Sequence, residues 1–155
     1  MDKDRPDSHR HIHPPILALM FILLAYLIGR FIPAPVWLPG YAPNLGLGLI
    51  VIGFLLAAAA FWEFRKARTT LDPHGSVKAL VTDGVYQITR NPIYFGFLLM
   101  VIGFPLNGGL HSGALVAPFF VVAMNRLVIE KEEMYLEGKF GVEYTEYKSR
   151  VGRWW

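Results

Sequence analysis

The chain has 155 residues, of which 54% are hydrophobic and 17% charged, and its mean hydropathy is +0.37. Soluble domains carry about a quarter charged residues, so the balance points to the membrane, and the length suits one compact unit. No cysteine is present, which excludes disulfides, thiolate nucleophiles and cysteine-held metal or iron–sulfur sites.

The opening stretch, "MDKDRPDSHRHIH", carries Lys3, Arg5 and Arg10, with His9, His11 and His13 at i, i+2 and i+4. That histidine spacing suits a metal, but in a polar tail beside a membrane it reads as a loose basic flank, and no metal site is expected. The first apolar segment covers residues 16–32, with Arg30 as its one charge. It does not read as a cleaved signal peptide, because "PAPVWLPGYAP" follows it in place of a small-residue cleavage site. Trp37 and Tyr41 in that connection suit an interfacial belt.

The second segment, residues 45–64, has about the twenty residues a helix needs to cross the hydrocarbon. Its "GLGLIVIG" lacks G-x-G-x-x-G spacing and follows no strand, so close helix packing is expected there and not a nucleotide loop. The third segment, residues 93–106, would reach only about 21 Å against a ~30 Å hydrocarbon core. Either it extends backward through "GVYQITRNP", or it forms a tight hairpin with the fourth segment, residues 114–129. Pro92 suits the first turn of the third helix, with Asn91 as its N-cap.

Charge placement supplies the topology. If all four segments span, fourteen of the fifteen basic residues and all twelve acidic ones fall on one side. The positive-inside rule makes that side the cytoplasm, with both termini and the 65–92 connection there, in a plasma or inner membrane. This bias accounts for the net charge of +3, and nucleic acid need not be invoked. The expected fold is an all-α integral membrane protein, a single domain of about four transmembrane helices. Residues 14–64 hold the first two; residues 65–155 hold a cytoplasmic loop, the remaining helices and a C-terminal amphipathic helix.

Arg90 sits at the lip of the third segment, next to a positive helix end, so it needs an anion from lipid, protein or ligand. The fourth segment runs into "EKEE" without a turn residue before Gly138. Arg126, Glu130 and Glu133 follow at i, i+4 and i+7, predicting one shared helical face with Glu132 beside it. Arg126 and Glu130 read either as a solvated i,i+4 pair or as lining a cavity. The glutamates repel one another unless something cationic lies between them. Beyond them Leu136, Phe140, Tyr144, Tyr147, Val151 and Trp154 form one apolar face, which either lies on the membrane or folds back as a lid.

Two ordered blocks carry a family resemblance. "RTTLDPHGSVKALVTDGVYQITRNPIYFG" and "EEMYLEGKFGVEYTEYKSRVGRW" resemble the isoprenylcysteine carboxyl methyltransferase and phospholipid methyltransferase superfamily of integral membrane enzymes, across residues 64–155. The resemblance implies S-adenosylmethionine (SAM) bound from the cytoplasm by the third and fourth segments and the C-terminal helix, with S-adenosylhomocysteine (SAH) as product. It also implies that the backbone of "ALVTDGVY", with Leu80, Val81, Gly84 and Tyr86, edges the adenine. Asn91 stands where prenylcysteine- and phospholipid-methylating members typically have histidine, and asparagine does not titrate near neutral pH.

The chemistry of the residues agrees. Arg90 can pair with the SAM carboxylate, with Asn91 and Tyr94 as polar companions, and Glu132 and Glu133 can accept from the ammonium or ribose hydroxyls. Methyl transfer from a sulfonium is an in-line displacement that depends mainly on positioning. Arg126 and Glu130 are then the candidates for the acceptor: Arg126 for an anionic one, Glu130 as base for an amine. The expected function is methylation of a lipidic or hydrophobic small molecule at the bilayer. The alternatives are a non-catalytic membrane scaffold or lipid-binding protein, and a small-thiol S-methyltransferase.

Overall fold

The computed structural model describes residues 13–32, 38–68 and 77–155, and these are helical with no strand among them. His9, His11 and Trp37 therefore lie outside the described residues, as does the middle of the 65–92 connection. Helix α1 (Pro14–Phe31) opens with proline in its first turn, where the missing N–H costs no helical bond. It ends at Ile32, whose φ of −121° and ψ of 82° are those of a residue barred from the helical region by a following proline. Helix α2 (Ala42–Lys66) has 25 residues, with Arg65 and Lys66 at its negative end.

Helix α3 (Pro92–Asn107) starts at Pro92 as expected and carries Pro105 inside its last turn. It does not extend backward: Gly84–Gln87 form a separate 3-10 turn. Its 16 residues reach about 24 Å, less than a bilayer core. Residues 108–110 then reverse the chain into a long helical run, so the hairpin is the arrangement the chain adopts.

That run passes through a 3-10 turn (His111–Val116), α4 (Ala117–Met124), a π turn (Asn125–Ile129) and α5 (Glu130–Phe140). Among the described residues, three helical stretches are long and apolar enough to cross a membrane: Pro14–Phe31, Ala42–Lys66 and His111–Phe140. The fourth apolar helix is the shorter α3. The protein is an all-α integral membrane protein.

Packing follows from small residues. Gly46 and Gly53 of α2 face Gly103 and Gly96 of α3. A Cβ on Gly96 would lie 2.6 Å from the Gly53 carbonyl oxygen, and one on Gly103 would lie 2.7 Å from that of Gly46. The two backbones therefore touch, as the "GLGLIVIG" stretch predicted; with lipid tails as apolar as the side chains, such contact is what holds helices together in a membrane. On the other side of α3, Leu17, Ala18 and Ala25 of α1 share a buried core with Val101, Phe120 and Met124. Ser112 donates to the Ile32 carbonyl and fastens the end of α1 to the hairpin.

The predicted single C-terminal helix is two. Gly141, at φ +55°, stops α5, and α6 (Val142–Arg150) turns back. An amphipathic period does not register such a break, because glycine reaches the left-handed region without steric cost. The apolar face survives it: Tyr144 and Tyr147 are buried with Ala60 and Tyr86, and Leu136, Phe140 and Val151 pack around them. Trp154 joins the other core, so the segment folds back over the helix ends.

Candidate active site

The fold-back closes a cleft between the start of α3, the start of α5, α6 and the stretch Val77–Val81. About 900 Å³ of space lies within it, open solvent included. Its walls are mainly apolar, and its polar groups are concentrated at one end around Arg90, Tyr94, Glu132 and Glu133.

Glu133 is the centre of that end. Its side chain is 9% exposed, and it pairs with Arg90 Nη1 at 2.9 Å, also 9% exposed. Arg153 grips the same carboxylate with both arms, Nε at 3.0 Å and Nη2 at 2.6 Å. The hydrogen bonds to Glu133 hold the Arg153 guanidinium above its ordinary pKa. Arg90 Nη1 also donates to the Tyr144 hydroxyl at 3.2 Å. Two guanidiniums on one buried carboxylate leave the cluster with a net positive charge. Arg90 Nε is buried with no partner among the described residues, so a further anionic acceptor suits this end.

The neighbouring Glu132 accepts from the Tyr94 hydroxyl at 2.6 Å. The cleft thus has a cationic corner beside an anionic one. Deeper, the Tyr147 hydroxyl donates to the Tyr86 carbonyl at 2.6 Å. Burial pushes both tyrosine hydroxyls well above their ordinary range, so both remain protonated donors.

Eight of the nine residues expected to hold the cofactor line this cleft: Leu80, Val81, Tyr86, Arg90, Asn91, Tyr94, Glu132 and Glu133. Gly84 does not. At φ +59° it packs against the Glu63 carboxylate and lines a neighbouring hollow behind Leu80 and Val81. Its backbone conformation serves the turn.

Asn91 occupies the N-cap position of α3 but makes no capping bond. Its Nδ2 donates instead to the Arg153 carbonyl at 3.0 Å, because the segment after α6 lies alongside residues 89–91. Nor do Arg126, Glu130 and Glu133 share a face. The π turn inserts about one extra residue per turn and rotates the downstream helix by about 100°. Glu133 turns inward while Arg126 stays 74% exposed, paired with Glu130 at 3.4 Å. Neither Arg126 nor Glu130 lines the cleft.

Sequence reasoning missed Arg153, Tyr144 and Tyr147 as site residues. In the sequence the tyrosines count only towards an apolar face, though their hydroxyls on that face signal a polar lining. Arg153 is the last charged residue of the second motif block, in "VGRW", and its place there was the available signal.

Residues 42–143 match the family model described as phospholipid methyltransferase. The chain is 34% identical over 143 residues to protein-S-isoprenylcysteine O-methyltransferase B of Arabidopsis thaliana, covering 83% of this chain and 70% of that one. The chain belongs to the phospholipid methyltransferase family. It is also 31% identical to the A form of the same plant enzyme, over 87% of this chain and 70% of that one. Methanethiol S-methyltransferase 2 of Bradyrhizobium diazoefficiens is 29% identical over 88% of this chain and 55% of its own length. No solved structure matches the chain. With its membrane helices and these relatives, the protein is a methyltransferase of the membrane, an activity that requires a methyl donor.

Proposed function

We propose that the cleft binds SAM and that the protein transfers its methyl group to a lipidic or hydrophobic acceptor at the cytoplasmic face of the membrane. The observation that carries this reading is the polar end of the cleft, where an unsatisfied, buried Arg90 nitrogen lies beside the Tyr94–Glu132 pair. An amino-acid moiety presents a carboxylate and an ammonium together, and this corner offers a partner for each. The apolar remainder, with Phe64, Leu80 and Val81, suits a purine. When bound, SAM supplies an activated methyl on a sulfonium. The chain's own residues then have three tasks: Arg90 holds the anionic end, Glu132 and Tyr94 hold the cationic end, and the folded-back α6 keeps water from the methyl.

The cytoplasmic placement rests on the one-sided charge distribution, since Arg65 and Lys66 end α2 on the same side as the cleft. Arg126 and Glu130 stand outside the donor cleft on the same long helix, nearer its apolar part. We assign them to the acceptor: Arg126 meets an anionic head group and Glu130 orients Arg126. An isoprenylcysteine-type carboxylate suits that arrangement. A small thiol is the second reading, favoured by Asn91, which supplies no titrating base, and by the likeness to methanethiol S-methyltransferase 2.

The test is a label-transfer screen. Purified protein in liposomes is given SAM labelled at the methyl, with prenylated cysteine, phosphatidylethanolamine-type lipids and alkyl thiols as acceptors. Label in an organic-soluble product supports the reading. No transfer to any acceptor class, with SAM hydrolysis excluded, argues for a scaffold.

A further inference from the structure

The last described segment, residues 151–155, is bolted to the start of α3. Arg90 N–H donates to the Gly152 carbonyl at 3.0 Å. The Thr89 hydroxyl and Asn91 Nδ2 both donate to the Arg153 carbonyl, at 3.1 and 3.0 Å. The Trp154 indole N–H donates to Asn125 Oδ1 at 3.1 Å, in the π turn. Thr89 lies in the loop before α3 and Asn125 in the π turn, so the strap is pinned on two sides, and Arg153 stands between the pins. Its fork on Glu133 is bidentate, while Arg90 reaches the same carboxylate with one nitrogen.

A carboxylate held by a fixed fork cannot rotate freely, and its remaining lone pairs then define where Arg90 lies. Removing Arg153 leaves Glu133 a single cationic partner and frees it to pull the Arg90 guanidinium away from the cleft. We infer that Arg153 is a positioning residue for the donor site, holding Glu133 so that Glu133 holds Arg90. This inference rests on the donor reading proposed above. It also assigns Asn91 a task that needs no proton transfer: latching the strap through the Arg153 carbonyl.

The experiment is a double-mutant cycle read by calorimetric titration of SAH into purified protein, for the wild type, Arg153→Gln, Glu133→Gln and the double variant. Arg153→Gln is expected to weaken SAH by about tenfold, and Arg153→Lys, which keeps the charge but loses the fork, by a few-fold less. If Arg153 acts through Glu133, Arg153→Gln weakens binding by less than about twofold more once Glu133 is already glutamine. A merely structural strap would instead give multiplicative losses. Should Arg153→Gln fail to fold, Arg153→Lys in the same cycle decides. Wild-type binding with both Arg153 variants unaffected, or with multiplicative losses, overturns the inference alone. No SAH binding by the wild type overturns the donor reading and this inference with it.

Discussion

Replacing Glu133 by glutamine removes the one negative charge between two guanidiniums while keeping the side chain's shape. In the native protein Arg90 and Arg153 lie 2.9 and 2.6 Å from the carboxylate, and a glutamine amide offers a single oxygen to both. Removing one member of a buried ion pair costs about 3–5 kcal/mol, because the partner is left charged and unpaired. Arg153, 30% exposed, turns to water and loses less; Arg90, 9% exposed, cannot. A loss near the lower limit, about 3 kcal/mol, is therefore expected. For a chain of this length that corresponds to a fall in Tm of roughly 6–12 °C. The assay is thermal unfolding in detergent, followed by circular dichroism at 222 nm. Arg90→Met combined with Glu133→Gln removes the orphaned charge and should recover part of the loss. A Glu133→Gln protein within about 2 °C of the wild type would refute the claim that this carboxylate is desolvated between two cations.

Three further outcomes follow from the same geometry. Gly96→Val should destabilise the bundle by about 1–3 kcal/mol, since its Cβ would lie 2.6 Å from the Gly53 carbonyl oxygen; Gly48→Ala, at a site with open space around it, should change unfolding by less than about 1 kcal/mol. Tyr94→Phe leaves Glu132 without its 2.6 Å donor and should weaken SAH by about fivefold to tenfold, measured by titration. Arg126→Ala and Glu130→Ala should each keep SAH affinity within a few-fold while losing most methyl transfer at saturating SAM. A solvated i,i+4 pair contributes only about 0.2–0.5 kcal/mol, so retained turnover in both would show that they merely pair.

The helical architecture was legible because long apolar runs and one-sided charge leave a membrane chain few alternatives. Close packing by Gly46 and Gly53 was legible too, but its partners, Gly96 and Gly103 of α3, were not, because glycine spacing on one helix does not name the helix it meets. Arg90, Tyr94, Glu132 and Glu133 could be grouped from charge logic: glutamates that repel in sequence need a cation in space. What hid the rest was register. The π turn at Asn125–Ile129 has no residue signature in "NRLVI", yet it decides that Glu133 faces inward and Arg126 outward. Gly141 ended a helix whose apolar period continued undisturbed through it. Arg153 was hidden for a different reason. Its partner lies 20 residues away, across the reversal that Gly141 introduces, so no local pattern links the two.

If the cleft holds the methyl donor as proposed, with separate corners for its opposite charges, it must bind SAH through Arg90. Calorimetric titration of SAH into wild-type protein, repeated with Arg90→Ala, measures this without any acceptor. Loss of one charge-assisted contact is worth about 1.5–3 kcal/mol, or roughly tenfold to a hundredfold in Kd. Saturable one-site binding by the wild type and that loss in the variant are the predicted result. Wild-type binding that Arg90→Ala leaves unchanged would contradict the placement of the donor in this cleft, and no saturable binding at millimolar SAH would contradict the site altogether.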